Sequence, residues 1–290
     1  MERTSIGVGL PTPVLVLGAT SIVGRFLVRR LREAKIELFA LSRRDQPPLE
    51  GVTWITADLV DANLRLPSAV ALAFSISPIW VLPRALPTLE AGGVRRLVAF
   101  SSTSRFTKEH SPIAAERTTA ARLIEAEDQT RSFCSAHSIA WTILRPTLIY
   151  AEGLDRSLNR LANLIRRFGV LPLSGDGSGK RQPVHADDLA AGAIAAALSP
   201  LAENRAYNLP GGETLSYRAM SERIFLGMGR KPRILSIPPP IWRIGLTLAS
   251  PVVRGATTAM GSRMAEDLTF DPTPATADFE WRPRAFHPHF

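Results

Sequence analysis

Residues 14–31 constrain this chain more than any other stretch. An apolar run from Val14 to Leu17 breaks into small residues and resumes with helical spacing at Ile22, Val23, Phe26, Leu27 and Leu31. The pattern predicts a strand buried on both faces, a tight turn and a helix. Gly18 and Gly24 bracket the turn. A turn of this kind aims unpaired backbone N–H groups and the positive end of a helix dipole at one point, which suits a pyrophosphate. Gly18, Thr20, Ser21, Ile22 and Gly24 are therefore candidate cofactor-binding positions, with a glycine-rich turn that holds no ligand as the plain alternative. Ser21 stands where the strict dinucleotide fingerprint has its middle glycine, and its hydroxyl could itself bond a phosphate oxygen.

Strand and helix patterns alternate after this unit. Strands are predicted at residues 36–41, 53–57, 70–76, 96–100 and 140–144, and helices at 80–91, interrupted near Pro83 and Pro87, and at 112–137. Such alternation specifies a doubly wound parallel α/β sheet of the Rossmann type. Ala114, Ala115, Ala121, Leu123, Ile124 and Phe133 are available for the buried face of the long helix. Its carboxylates Glu116, Glu125 and Glu127 read as a solvated face, with an acid or base role as the alternative. From residue 155 the pattern shifts to a basic helix and a Gly-rich loop at 175–179. The expected organisation is a nucleotide-binding domain over 1–150 and a smaller substrate-binding portion over 151–290, some of whose segments return to the core.

At the end of the second strand, Ser42 stands where an NAD-binding fold usually places Asp or Glu, and Arg43 and Arg44 follow. A 2′-phosphate needs cations there and is repelled by a carboxylate, so NADP is expected, with NAD also admitted. A solvated basic loop is the alternative. The fourth strand delivers Ser75, Ser77 and Pro78 towards the cofactor ribose.

The segment Gly18 to Gly24 resembles the Gly-x-x-Gly-x-x-Gly turn of extended and atypical short-chain dehydrogenases/reductases, and further matches extend the resemblance over most of the chain. The nearest group is the NAD-dependent epimerase/dehydratase family, many of whose members act on nucleotide-linked sugars. The resemblance implies that Asp58 and Leu59 border the adenine, though Asp58 also reads as a turn cap. It matches Ser101-Ser102-Thr103-Ser104 to the segment that closes the equivalent strand, which places Ser101 at the cofactor and implies that Thr103 bonds the reacting oxygen, where a hydroxyl cluster is equally ordinary turn chemistry. It also implies that Pro146, in Leu144-Arg145-Pro146, shapes the nicotinamide pocket.

One family feature is missing. The Tyr and the Lys four residues later should fall near Thr118 and Arg122, and the chain's tyrosines, Tyr150, Tyr207 and Tyr217, are followed four residues on by Leu154, Gly211 and Ser221. A threonine does not ionise usefully near neutrality, and Arg122 could hold the ribose but not tune a phenol. Further on, Asp187 or Asp188 is expected to cap the helix that follows Val184-His185-Ala186, with catalysis by His185 as the weaker reading. Residues 241–249 form an apolar stretch too short to span a bilayer, and the tail with Phe270, Phe279, Trp281 and Phe286 should lie across the fold.

With 290 residues, 45% of them hydrophobic, the chain can bury a full core. Its single cysteine, Cys134, excludes an internal disulfide, no spacing suggests a metal site, and a cytoplasmic location is expected. Residues 1–13 lack the pattern of a secretion signal and no run is long enough for a transmembrane segment. The net charge of +9 is spread along the chain without a basic block, so nucleic acid is not an expected partner. A small-molecule substrate, for which a nucleotide-linked sugar is a candidate, and a homodimer are the partners considered. The leading expectation is an NAD(P)-dependent oxidoreductase or epimerase/dehydratase-like enzyme without the Tyr/Lys pair; the rival is an NADP-binding scaffold or sensor that does no chemistry.

Overall fold

Val14 and Val16 pack into one layer of helices, while Leu15 and Leu17 pack into the other. All four are fully buried, which is why this strand reads as a continuous apolar run. The structure is a computed structural model and describes residues 9–61, 64–67, 69–155, 157–242, 261 and 263–290.

The elements run β1 (Val14–Leu17), α1 (Ile22–Glu33), β2 (Leu38–Ser42), β3 (Thr53–Thr56), β4 (Leu72–Ser75), α2 (Leu82–Ala91), β5 (Arg96–Phe100), α3 (Ser104–Thr107), α4 (Ala114–Ala136) and β6 (Ala140–Pro146). They continue as β7 (Ile149–Tyr150), α5 (Ser157–Phe168), β8 (Leu171–Ser174), β9 (Lys180–Arg181), β10 (Val184–His185), α6 (Ala186–Leu198), β11 (Arg205–Leu209), β12 (Leu215–Ser216), α7 (Tyr217–Gly227) and β13 (Ile234–Ile237), with a last helix over Thr273–Phe279.

Seven strands form a parallel sheet in the order β11-β6-β5-β4-β1-β2-β3. The order reverses at β1, which pairs with β2 on one side and β4 on the other. In open parallel sheets the ligand crevice lies beyond the carboxyl ends of the strands at such a reversal. Helices α1 and α6 cover one face through Leu27, Leu31, Leu189 and Ala193, and α2 and α4 cover the other through Leu82, Leu86, Leu123 and Ala126. Although it comes late in the chain, β11 joins the sheet edge beside β6. A third cluster, including Leu158, Ile165, Leu173, Ile224 and Phe225, is organised by the parallel pairing of β13 with β8.

Several local expectations change. Helix α2 runs through Pro87 without a break, and Pro83 falls in its first turn, where the missing N–H costs nothing. The buried face of α4 is Ala120, Leu123, Ala126, Glu127, Thr130 and Cys134, while Ala114, Ala115 and Ala121 are exposed. Alanine is compatible with either side of a helix, so its positions did not fix the phase. Glu127 is not on a solvated face: it is fully buried. Burial pushes the Cys134 thiol up to about 12, which keeps it protonated. From residue 243 onward the expected apolar stretch lies outside the described residues. The tail packs as expected, with Phe279, Trp281 and Phe286 buried.

Candidate active site

The turn between β1 and α1 is tight because glycine is required at both ends. Gly18 adopts φ +76, and a Cβ there would meet the Ser77 backbone nitrogen at 2.8 Å; a Cβ on Gly24 would meet the Gly18 carbonyl oxygen at 2.3 Å. Ser21 caps α1, its hydroxyl accepting from the Gly24 N–H at 3.1 Å, so the hydroxyl proton is left to point outward. Ile22 opens the helix, and Thr20 precedes the cap. A cleft of about 530 Å³ is lined by Thr20, Ser21, Ile22 and Arg25 together with Ile149 and Leu154. Ser75, at the carboxyl end of β4, is buried and its hydroxyl has no hydrogen-bond partner among the described residues.

At the end of β2 the Ser42 hydroxyl is turned into its own loop, where it accepts from the Arg44 N–H at 3.2 Å and the Gln46 amide at 3.3 Å. Arg43 and Arg44 are exposed, and their side chains pair with no acid among the described residues. Asp45, next in the same loop, accepts from the Thr56 hydroxyl at 2.7 Å. Asp58 accepts the Val60 N–H at 3.2 Å, the turn-capping role, and Leu59 is buried in the core beside it.

Beyond β5, Thr103 sends both its N–H and its hydroxyl to the Pro146 carbonyl, at 3.2 and 3.1 Å. Pro146 thereby ties the end of β6 to the Ser101–Thr107 segment. Ser101 donates to Glu127 at 2.5 Å, and that carboxylate also receives Arg105 and, at 2.5 Å, Arg145. Phe106 lies against both guanidinium groups, 5.0 Å from Arg105 and 5.4 Å from Arg145. Sequence reading missed this cluster because its cations come from other elements. The positions expected to carry the Tyr/Lys pair do neither job: the Thr118 and Thr119 hydroxyls return to the carbonyls of Ala114 and Ala115, and Arg122 is exposed and stacks over Trp80 at 4.6 Å.

Thr103 also lines a larger cavity of about 590 Å³, walled by Lys108, Leu161, Arg181, Tyr217 and Met264. It shares Ile149 and Ser157 with the first-turn cleft, so the two cavities adjoin and are together termed the trough. Arg181 is committed to the carbonyls of Lys180 and Glu266, both at 2.7 Å, and of Arg263. Arg263 pairs with Glu116. Lys108 pairs with no acid among the described residues. Burial raises the Tyr217 phenol, against the pull of Arg181, so it stays protonated.

The cap of α6 is His185, not Asp187 or Asp188. Its Nδ1 accepts the Asp187 N–H at 3.1 Å, so the ring proton sits on Nε2, 3.1 Å from Glu152. Asp187 instead receives Arg29 at 2.9 Å, Arg30 at 2.7 Å and Arg284 at 2.9 Å, and Asp188 also receives Arg284. Among the described residues no group of His, Cys, Asp and Glu could hold a metal ion, and no helix is long and apolar enough to cross a membrane.

Comparison with known proteins agrees with this architecture. The model of the NAD dependent epimerase/dehydratase family matches residues 82–209. The NAD(P)H azoreductase of Xenophilus azovorans is 30% identical over 238 residues, covering 77% of this chain and 77% of that protein. Among solved structures, MoeE5 in complex with UDP-glucuronic acid and NAD superposes with a TM-score of 0.71 at 19% identity, covering 94% of each chain. The UDP-glucuronic acid 4-epimerase of Bacillus cereus in complex with NAD gives 0.71 at 13% identity, again over 94% of each chain. At these identities the superpositions speak to the fold.

Proposed function

The chain belongs to the NAD-dependent epimerase/dehydratase family, and from that premise we propose that it is an oxidoreductase or epimerase-like enzyme that prefers NADP and acts on a small or nucleotide-linked carbonyl or alcohol beside Thr103. In this reading residues 1–150 bind the nucleotide and 151–290 supply most of the substrate wall. The observation that carries it is the adjacency of two cavities: the cleft at the glycine-built phosphate turn and the cavity reached by a strand-end hydroxyl share Ile149 and Ser157 in their walls. The residues fit a dinucleotide, since a Cβ at Gly18 or Gly24 would strike neighbouring backbone and force the phosphate turn apart, and the buried Ser75 hydroxyl has no partner among the described residues. When bound, the nicotinamide accepts or donates the hydride.

The protein's part is to bind, orient and move a proton. The Gly18–Gly24 turn and the Ser21 hydroxyl would hold the pyrophosphate. Ser42 leaves the end of β2 without a carboxylate, which supports NADP over NAD. The NAD(P)H in the azoreductase's name is compatible with this preference. Thr103 spends its proton on Pro146 and keeps its lone pairs, so it orients a substrate hydroxyl by accepting from it. With no phenol and lysine on α4, the proton is passed by water or by the substrate's own hydroxyl. Lys108 gives the cavity a cation without an acid, which supports a substrate bearing an anionic group, such as a nucleotide-linked sugar.

One specific observation favours a second reading, binding without chemistry: Thr118 and Arg122 stand where the family's Tyr and Lys are expected. NADPH oxidation measured against sugar nucleotides, quinones and simple carbonyls separates the two. Turnover with any of them supports the enzyme. Tight NADPH binding with no turnover across the panel supports a scaffold or sensor, and no dinucleotide binding removes both.

A further inference from the structure

A second cavity, of about 330 Å³, opens between α1 and the loop at residues 46–49 that joins β2 to β3. It shares Thr20 and Arg25 with the first-turn cleft, so it adjoins that cleft at residues the Thr103 cavity does not include. Arg25, Arg29 and Arg32 all line it, and their spacing of four and three residues puts them on one face of α1.

Their bonding differs. Arg29 is committed to Asp187 at 2.9 Å, with Glu33 at 3.9 Å. Arg25 and Arg32 are each tethered through Nε to a backbone carbonyl, Thr20 at 3.2 Å and Glu50 at 2.6 Å. Neither pairs with an acid among the described residues, so the terminal guanidinium nitrogens of both are open. Trp54 lines the same cavity with its ring, its indole N–H lying buried beneath the surface without a partner among the described residues. Val28, Pro47 and Pro48 complete an apolar wall. Two guanidinium groups with open terminal nitrogens in one cavity fit an acceptor-only dianion with several terminal oxygens. Arg43 and Arg44 line neither this cavity nor the trough.

We propose that this cavity is a phosphate-monoester subsite held by Arg25 and Arg32, and that the phosphate it takes is the 2′-phosphate of the cofactor, entering past Thr20. The assignment rests on the dinucleotide reading above and moves the specificity for NADP from the residues after β2 to the outer face of α1. A free phosphorylated small molecule presents the same chemistry.

The test is titration of the full chain with NADPH, NADH, 2′,5′-ADP, 5′-ADP and inorganic phosphate, read by tryptophan fluorescence and by thermal shift. In Arg25→Gln/Arg32→Gln, NADPH and 2′,5′-ADP should weaken about tenfold or more beyond any loss seen for NADH and 5′-ADP, which lack the 2′-phosphate, the scale of losing charge-assisted bonds. Arg43→Gln/Arg44→Gln should leave the NADPH to NADH ratio close to that of the parent. If the α1 variant loses inorganic phosphate binding and keeps its cofactor ratio, the subsite stands and its occupant is a free phosphate. Unchanged affinities for all five ligands overturn the proposal, and so does a preference for NADPH abolished only by the Arg43/Arg44 changes. Failure of the parent chain to bind either dinucleotide removes the cofactor reading instead, and the 2′,5′-ADP and phosphate titrations still decide the subsite.

Discussion

The Glu127 carboxylate, fully buried on α4, accepts the Ser101 hydroxyl at 2.5 Å and so fixes the strand end from which Thr103 reaches the cavity. Arg105 and Arg145 balance its charge from α3 and β6. Glu127→Gln keeps an acceptor for Ser101 but leaves two mostly buried guanidinium groups without an anion. The expected loss is about 3 kcal/mol of stability, the scale of breaking a buried ion pair. Urea unfolding should show a lower midpoint at unchanged slope. An unshifted midpoint would mean that water already solvates the cluster.

Gly24→Ala places a Cβ 2.3 Å from the Gly18 carbonyl oxygen, and backbone must move to accept it. Stability should fall by about 1–3 kcal/mol, as overpacking does. Because the atom that must shift belongs to the phosphate turn, dinucleotide affinity should fall further than stability alone explains. A folded variant that binds NADPH as tightly as its parent would place the pyrophosphate elsewhere.

Ser42→Asp tests the choice of cofactor at the end of β2. The new carboxylate would repel a 2′-phosphate and accept from a 2′-hydroxyl. NADPH affinity should drop and NADH affinity should hold or rise, measured by equilibrium titration at constant salt. Parallel changes for both cofactors would show that the ribose does not reach this residue.

Asp187 ties α1 to the tail through Arg29, Arg30 and Arg284. Burial alone would raise its carboxyl, but the bonds and charges of Arg30, Arg284 and Arg29 together hold it below the usual carboxylate range. A depressed folded value stabilises the protein above the unfolded pKa, about 3.9, and the contribution is lost as pH falls through the lower folded value. Asp187→Asn should cost about 2–4 kcal/mol at pH 7. The gap from the parent should stay flat down to about pH 5 and narrow below about pH 4. A gap that does not depend on pH in acid would assign the effect to packing.

Thr103→Val removes the side-chain bond to Pro146 and the lone pairs offered to the cavity, while the Thr103 N–H still reaches the same carbonyl. Turnover on whichever substrate the panel identifies should fall by about ten- to a thousandfold, the scale of one transition-state hydrogen bond. Cofactor affinity should hold. Unchanged turnover would remove Thr103 from the reaction.

The sequence by itself determined the doubly wound sheet, because Val14 to Leu17 alternate between two apolar layers and must be covered twice, and it determined the first turn, because only glycine fits at Gly18 and Gly24. It also located Thr103 just beyond a strand end. Tertiary structure decided what those positions touch. Glu127 reads as solvated until Arg105 and Arg145 arrive from other elements, and Asp187 reads as a cap until His185 takes the amide and three arginines take the carboxylate. The arginine face of α1 became a cavity only when Trp54 on β3 and the loop after β2 closed over it. Periodicity reports which side of one element is apolar; the partner of a buried charge lies far along the chain, and only packing brings the two together.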